Sequence, residues 1–369
     1  MRILHLIATG QRRGAEVFAS DLIAALAAPG LDQRAAVLRG GPPWAVRFGV
    51  PVTALGVGPR ALHAGALWSL RRLLRDWRPD LVQAHGGEPL KYAALATVAE
   101  RAPIVYRRIG SVSWLSSGPR RALYGRLVRR ADRVVAVAEA VRDESVAAFG
   151  LDPDQVVTIP NGVDPRRVAP RRGRTAIRAA LGIRPDAAVV LSLGALTWEK
   201  DPLGHLQVTA PLLRRHPGSV HLFAGAGPLR AELEAAATRE GLAGRTVVLG
   251  SRDDVGDILA ASDLMVFASR TEGMPASLIE AGMAGLPVAA TTLPGVPEVV
   301  VHGTTGLLVP PGDREELRGA VERLLADGPL RAAMGAAARD RCLARHGIAG
   351  IAAAYREVYE GVAAGCPVS

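Results

Sequence analysis

Short apolar runs alternate with amphipathic stretches along nearly the whole chain. Ile3 to Ile7, Ala35 to Leu38, Leu81 to Ala84, Ile104 to Tyr106 and Val134 to Val137 are short, apolar and bounded by Gly, Pro or charged residues, which predicts strands. Between them, Ala15 to Ala28, Leu62 to Trp77, Leu90 to Ala99 and Arg120 to Arg130 have the length and spacing of helices. Strand and helix in strict alternation predict a parallel, doubly wound α/β sheet.

The pattern breaks between Pro160 and Arg174, where Pro160, Pro165 and Pro170 stand among Asn161, Gly162, Gly173 and five arginines, a linker composition. A second series follows, with Ala188 to Leu193, Val220 to Ala224, Thr246 to Leu249, Leu264 to Ala268, Val288 to Ala290 and Gly306 to Val309 as strands and a nearly all-helical tail from Arg314 to Val362. A chain of 369 residues is too long for one compact core. The expected organisation is therefore two Rossmann-like domains, 1–163 and 164–346, with 347–369 as a C-terminal helix returning toward the first. Ligands of such sheets bind at the carboxyl ends of the strands, so a central cleft between the two is the expected site.

Composition narrows the chemistry. A formal charge of +10 points to anionic partners, whereas only 4% aromatic residues argues against base-stacking platforms, and no nucleic-acid partner is expected. Two cysteines, Cys342 and Cys366, have no neighbour at metal-ligand spacing and read as reduced thiols of a cytoplasmic protein. No apolar run is long enough to span a bilayer, and neither a spanning helix nor a signal peptide is expected. Of 45 basic side chains only Lys91 and Lys200 are lysines, so a lysine in a loop where arginine is the default invites a reason.

The segment Ser269 to Gly285 carries the most chemistry. A strand ends near Ala268, the loop holds Arg270, Thr271, Glu272, Gly273 and Met274, and Pro275 suits the first position of a helix in which Glu280 lies one turn in. The free amides of Ala276, Ser277 and Leu278 at that helix start form an anion site that a diphosphate would fit. Glu280 there can accept hydrogen bonds from ribose hydroxyls, and Glu272 from a sugar beyond the diphosphate. The spacing alone also suits two solvated carboxylates.

Around this segment, Ser251-Arg252-Asp253, Ala261-Ser262-Asp263, Gly285-Leu286-Pro287-Val288, Pro294 to Glu298 and Gly303 to Pro311 follow in order with short gaps. The series resembles the C-terminal domain of glycosyltransferase family 4, retaining enzymes of GT-B fold, most specifically over Val189 to Asp313. The resemblance implies that Glu272 and Glu280 are the family's E-x7-E pair, that Gly194 to Lys200 is its glycine-to-lysine loop with Lys200 on the donor diphosphate, and that Arg252 lies where the base is recognised. Gly10 to Glu16 is similar to the family's first loop, in which Gly14 stands where a glycine pair is usual. Two departures are visible: Ala195 replaces an arginine, and Arg107-Arg108-Ile109-Gly110 occupies the stretch where a histidine is common.

Three further signals have plainer readings. Gly225-Ala226-Gly227-Pro228 lacks the third glycine of a dinucleotide fingerprint, so a nicotinamide cofactor is not expected, and Asn161 to Asp164 reads as structural. Asp152-Pro153-Asp154 imitates a metal-binding D-x-D, but a Pro-containing turn accounts for it and no metal is expected. Arg120, Arg121, Arg126, Arg129, Arg130 and Arg133, with apolar residues at helical spacing, suit either an anionic membrane surface or a solvated face over the core.

The expectation is thus a retaining, metal-independent glycosyltransferase without cofactor, using a nucleoside diphosphate sugar of UDP or GDP type. Its acceptor is a glycan, lipid-linked or small-molecule hydroxyl, and its place the cytoplasm, including the inner membrane face. On the acceptor side His85 and Arg108, both following predicted strands, are expected at one carboxyl edge. The alternative is a noncatalytic sugar-nucleotide binder or partner subunit.

Overall fold

The computed structural model describes residues 1–40, 45–58, 62–110 and 118–365, and Cys366 lies outside them. The chain divides into two compact units, one formed by Met1–Gly162 together with the segment from Ile348 onward, the other by Val163–Gly347.

In the first unit the elements are β1 (Arg2–Thr9), α1 (Gly14–Leu26), β2 (Asp32–Arg39), β3 (Val52–Ala54), α2 (Ala64–Trp77), β4 (Leu81–His85), α3 (Gly87–Glu100), β5 (Ile104–Arg108), α4 (Pro119–Val128), β6 (Arg133–Ala136), α5 (Glu139–Phe149) and β7 (Val156–Thr158). They form a parallel sheet of order β3-β2-β1-β4-β5-β6-β7. The second unit runs α6 (Pro165–Val168), α7 (Arg174–Ala180), β8 (Val189–Leu193), α8 (Pro202–Arg215), β9 (Val220–Ala224), α9 (Arg230–Arg239), β10 (Thr246–Gly250), α10 (Val255–Ala261), β11 (Leu264–Phe267), α11 (Ala276–Met283), β12 (Val288–Thr291), α12 (Val296–Val299), β13 (Gly306–Val309), α13 (Arg314–Ala326) and α14 (Gly328–His346). Its parallel sheet has the order β10-β9-β8-β11-β12-β13. The two-domain, parallel-sheet α/β architecture read from the alternation is the observed one. The strand order reverses between β1 and β4 and again between β8 and β11, and each reversal opens a crevice at the strands' carboxyl ends.

The last helix, α15 (Ile348–Ala363), belongs to the first unit. Its Ile351, Tyr355, Val358 and Tyr359 join Phe18, Leu22 and Leu26 of α1 in one buried cluster over the sheet. Burying each such side chain contributes about 1.5–3 kcal/mol, which holds a terminal helix that propensity alone would leave marginal. The departing chain meets this helix closely. A Cβ at Gly162 would lie 2.9 Å from Ile351 Cγ1, and Asn161 Oδ1 accepts a 2.6 Å hydrogen bond from Arg107.

From Val163 onward the stretch with linker composition is a built part of the second unit. Its α6 and α7 pack against α10, and the amides of Arg171 and Arg172 donate to Asp257 Oδ1 at 2.7 and 2.8 Å. Arg172 also pairs with Asp254 and Asp257 at 2.8 and 2.9 Å. The prolines and glycines there shape turns that side-chain charges then fix. The short strand β3 carried no periodic signal, because three residues are too few to show one.

Candidate functional site

Two loops and one helix start meet at the switch point of the second sheet. The first loop leaves β8 at Gly194 and ends at Lys200. Gly194 N–H donates to Ala224 O at 3.0 Å and Leu196 N–H to Ala226 O at 3.0 Å, so the loop is tied to the turn after β9. That turn is the Gly225-Ala226-Gly227-Pro228 segment, and its glycines make the approach possible. A Cβ at Gly225, with φ of +159°, would lie 1.7 Å from Gly194 O, and one at Gly227 2.2 Å from Leu196 O. The motif therefore clamps the glycine-to-lysine loop.

Asp201 ends that loop. Its backbone is left-handed, with φ of 45°, and its side chain caps α8 through Gly204 N–H while pairing with Arg270 at 3.1 Å and Arg314 at 3.3 Å. Arg270 comes from the second loop, after β11, and its guanidinium lies 5.2 Å from the exposed Trp198 ring. The two loops are further joined by Arg270 N–H to Glu199 O at 2.8 Å. These braces set Lys200 against Glu272: the ammonium pairs with Glu272 Oε1 and lies 5.9 Å from the Phe267 ring centre. Glu272 is the more covered partner, with 10% of its side chain exposed against 31% for Lys200.

Beyond Glu272, Gly273 and Met274 are buried and Pro275 stands at the N-cap of α11. The amides of Ala276 and Ser277 have no hydrogen-bond partner among the described residues, as expected at a helix start. Leu278 differs from the sequence expectation. Its side chain is 1% exposed and its N–H donates to Pro275 O at 3.2 Å, so the first turn closes on itself and two amides, not three, remain open. Glu280 pairs with Arg167 of α6 at 2.7 Å, both side chains being mostly covered.

A pocket within this unit is lined by Gly194, Ala195, Lys200, His205, Phe267 and Ser269, among others. The Ser269 hydroxyl is buried there without a partner among the described residues. The pocket therefore offers the Lys200 ammonium and the Ser269 hydroxyl to an anion, with Glu272 against Lys200 able to accept from hydroxyls, and the chain continues from there to the open amides of Ala276 and Ser277 and to Glu280 on α11.

The other sequence candidates fall elsewhere. Arg252 turns back on Asp254 in a two-pronged pair at 2.8 and 2.6 Å, which leaves its side chain occupied. Gly14 is the first residue of α1, and a Cβ there would meet nothing within 4 Å, so the fold itself does not require glycine at that position. His85 and Arg108 are the last residues of β4 and β5, at the carboxyl edge expected of them, but their side chains do not share a face. His85 stands in register with Arg107, so the next residue, Arg108, faces the opposite side of the sheet. The His85 ring stacks on His5 with Nε2 3.1 Å from His5 Nδ1, and burial, then the nearby positive charge, holds it well below the usual imidazole range. Arg108 lies over Phe149 of α5, 5.6 Å from the ring centre. Exposures of 2% and 3% leave both side chains inside the first unit.

Asp152 accepts from Asp154 N–H at 3.0 Å and caps a short 3-10 turn, and no cluster of metal-ligating side chains occurs among the described residues. On α4 and just after it, Arg121 and Arg129 reach the carbonyls of Ala148 and Phe149, while Leu123, Arg126 and Arg130 are exposed. No helix among the described residues is long and apolar enough to cross a membrane.

Sequence reasoning passed over Arg167, hidden in the linker composition 113 residues from its partner, and two buried histidines, His205 in the pocket lining and His221. Neither has a local motif. Only the sheet order brings them to the site.

Comparison with known proteins bears on this geometry. The model of glycosyl transferases group 1 matches residues 173–341, and that of glycosyltransferase family 4 matches residues 12–167. A D-inositol 3-phosphate glycosyltransferase of Saccharomonospora viridis is 34% identical over 239 residues, 60% of this chain but only 54% of the relative's own length. A glycogen synthase of Mycobacterium tuberculosis is 28% identical over 83% of this chain and 74% of its own. Among solved structures, Anabaena HepE with UDP and glucose superposes with a TM-score of 0.86 at 24% identity, covering 98% of this chain and 99% of HepE, a likeness of fold.

Proposed function

The chain belongs to the group 1 glycosyltransferases of family 4, with the GT-B fold class, and from that premise we propose that it moves a sugar from a nucleoside diphosphate to an acceptor hydroxyl. The observation that carries the reading is the convergence of Lys200, Glu272, the open amides of Ala276 and Ser277, and Glu280 at one switch point. A diphosphate leaving group develops negative charge as the bond from the anomeric carbon to its oxygen breaks. Lys200 and the helix amides are preorganised to receive that charge in a pocket partly closed to water, where such interactions act strongly. Glu272 holds sugar hydroxyls, and Glu280 holds the ribose hydroxyls in exchange for part of its pairing with Arg167.

In the retaining course we propose, the acceptor oxygen bonds to the anomeric carbon on the face the diphosphate leaves. The acceptor's proton passes to the departing phosphate oxygen, so no side-chain base is required. Charge neutralisation by Lys200 and amides makes a metal unnecessary. UDP or GDP carries the sugar, and the acceptor is a glycan, lipid-linked or small-molecule hydroxyl. HepE is described with UDP and glucose, which puts UDP donors first in the test. The exposed arginines of α4 suit an acceptor presented at an anionic membrane on the cytoplasmic side.

The test is a thermal-shift screen of sugar nucleotides followed by transfer assays, with the product anomer read by NMR. Inversion at the anomeric carbon would overturn the retaining course. Ala195, in place of a phosphate-binding arginine, motivates the second reading, a noncatalytic binder. A wild type that binds a sugar nucleotide yet neither transfers nor hydrolyses it would establish that reading instead.

A further inference from the structure

From the pocket wall inward runs a chain of hydrogen bonds through side chains that the proposed reaction does not use. Ala268 N–H donates to His205 Nε2 at 2.8 Å, His205 Nδ1 lies 2.7 Å from Ser192 Oγ, Ser192 Oγ lies 2.8 Å from His221 Nε2, and His221 Nδ1 lies 2.8 Å from Thr209 Oγ1. Thr209 in turn donates to His205 O at 3.1 Å. The side chains of Ser192, His205, Thr209 and His221 are all buried, the imidazoles at 6% and 0% exposure.

An amide can only donate, so His205 Nε2 carries no proton and Nδ1 must carry one. Ser192 accepts that proton's hydrogen bond, and among the described residues its own hydroxyl finds its acceptor at His221 Nε2, which places the His221 proton on Nδ1 facing Thr209. Any other assignment leaves a buried donor without an acceptor, which is costly. Both rings are thereby neutral and in the Nδ1–H tautomer. Burial acts in the same direction, holding His205 down at about 4 and His221 well below the usual imidazole range. Asp201 and Lys200 are the charged groups that act on His205, and among the described residues the titratable group that acts on His221 is His205.

His205 sits in the first turn of α8, four residues after Asp201, whose left-handed backbone follows Lys200. Ala268 is the last residue before the loop that carries Glu272. The imidazole therefore spans the two elements that bear the two partners of the ion pair. We propose that His205, locked in one tautomer by Ser192, His221 and Thr209, is the positioning residue that sets Lys200 against Glu272 and so shapes the diphosphate pocket. This rests on the reading of that pocket given above, but its first two tests do not.

The test begins with imidazole 15N spectra of the whole protein at pH 7. His205 and His221 are expected as neutral Nδ1–H rings, and a protonated or Nε2–H His205 overturns the proposal without any variant. Second, the chain has only two lysines, so lysine-labelled protein gives two side-chain signals, assigned through Lys91→Arg. His205→Phe, which keeps a ring and removes the acceptor, is expected to shift the Lys200 signal and leave Lys91 unmoved, and His205→Gln to restore it. A folded His205→Phe protein with an unmoved Lys200 signal refutes positioning. If His205→Phe fails to fold, Ser192→Ala, which removes the acceptor of the Nδ1 proton, supplies the same comparison: a shifted Lys200 signal is expected, and an unmoved one in the folded protein refutes positioning.

Third, UDP and GDP affinity by calorimetry should fall about tenfold in His205→Phe and return to within about threefold in His205→Gln. Wild-type protein that binds neither nucleotide defeats the functional reading alone, and the two spectra still decide the positioning role.

Discussion

Replacing Lys200 by Met removes the cation from the pocket while keeping the length of its stem. Its consequences separate two roles. Exposed ion pairs contribute up to about 1 kcal/mol, and breaking a fully buried one costs about 3–5 kcal/mol. With 31% of Lys200 and 10% of Glu272 exposed, this pair lies between, and a loss of about 1–2 kcal/mol of stability is expected because Glu272 is left covered without its cation. Binding of UDP or GDP should fall by more than that coupling explains. Losing a charge-assisted hydrogen bond to the diphosphate costs about 1.5–3 kcal/mol, roughly 10- to 150-fold in Kd. The double-mutant cycle with Glu272→Gln tells the two apart. In the Glu272→Gln background, Lys200→Met should destabilise much less, because the orphaned charge is gone, yet still weaken the nucleotide by at least about tenfold. Denaturant unfolding gives the first quantity and calorimetry the second. Nucleotide affinity within twofold of wild type in both backgrounds would show that Lys200 serves Glu272 and nothing else.

Glu280→Gln should weaken the nucleotide roughly 10- to 150-fold while the chain stays folded, and unchanged affinity would remove Glu280 from the ribose. Transfer should survive excess EDTA, and Asp152→Ala should cost about 1 kcal/mol of stability through its lost cap with no effect on turnover; EDTA-sensitive transfer, restored by manganese and abolished by Asp152→Ala, would reinstate the D-x-D reading. His5 and His205 are held down to about 4 by burial, against an unfolded value near 6.5. The unfolded chain thus binds more protons between pH 6.5 and 4. Stability from these rings is complete above pH 6.5 and falls by up to about 1.4 kcal/mol per pH unit per ring on acidification; denaturant midpoints that do not change from pH 7 to 5 would contradict this. Liposome binding through α4 should require anionic lipid and weaken with salt, at about 1 kcal/mol per basic residue near the surface, and equal binding to neutral vesicles would exclude it.

Much of this protein is written locally in the sequence. Period and length determine where the strands and helices lie, because a buried parallel strand needs a short apolar run and a covering helix needs an apolar stripe. The chemistry around Glu272, Pro275 and Glu280 was legible for the same reason, since loop, helix start and carboxylate are contiguous in sequence. The tertiary structure decided what depends on facing and reach. It turned His85 and Arg108 to opposite sides of one sheet, because adjacent strand residues alternate and the register pairs His85 with Arg107. It brought Arg167 to Glu280 across 113 residues and gave Lys200 to Glu272 across 72. It also gathered Ser192, His205, Thr209, His221 and Ala268 into one hydrogen-bonded chain. Such partners come from separate strands and helices, and only the crossover order of the sheet, which no local pattern encodes, makes them neighbours.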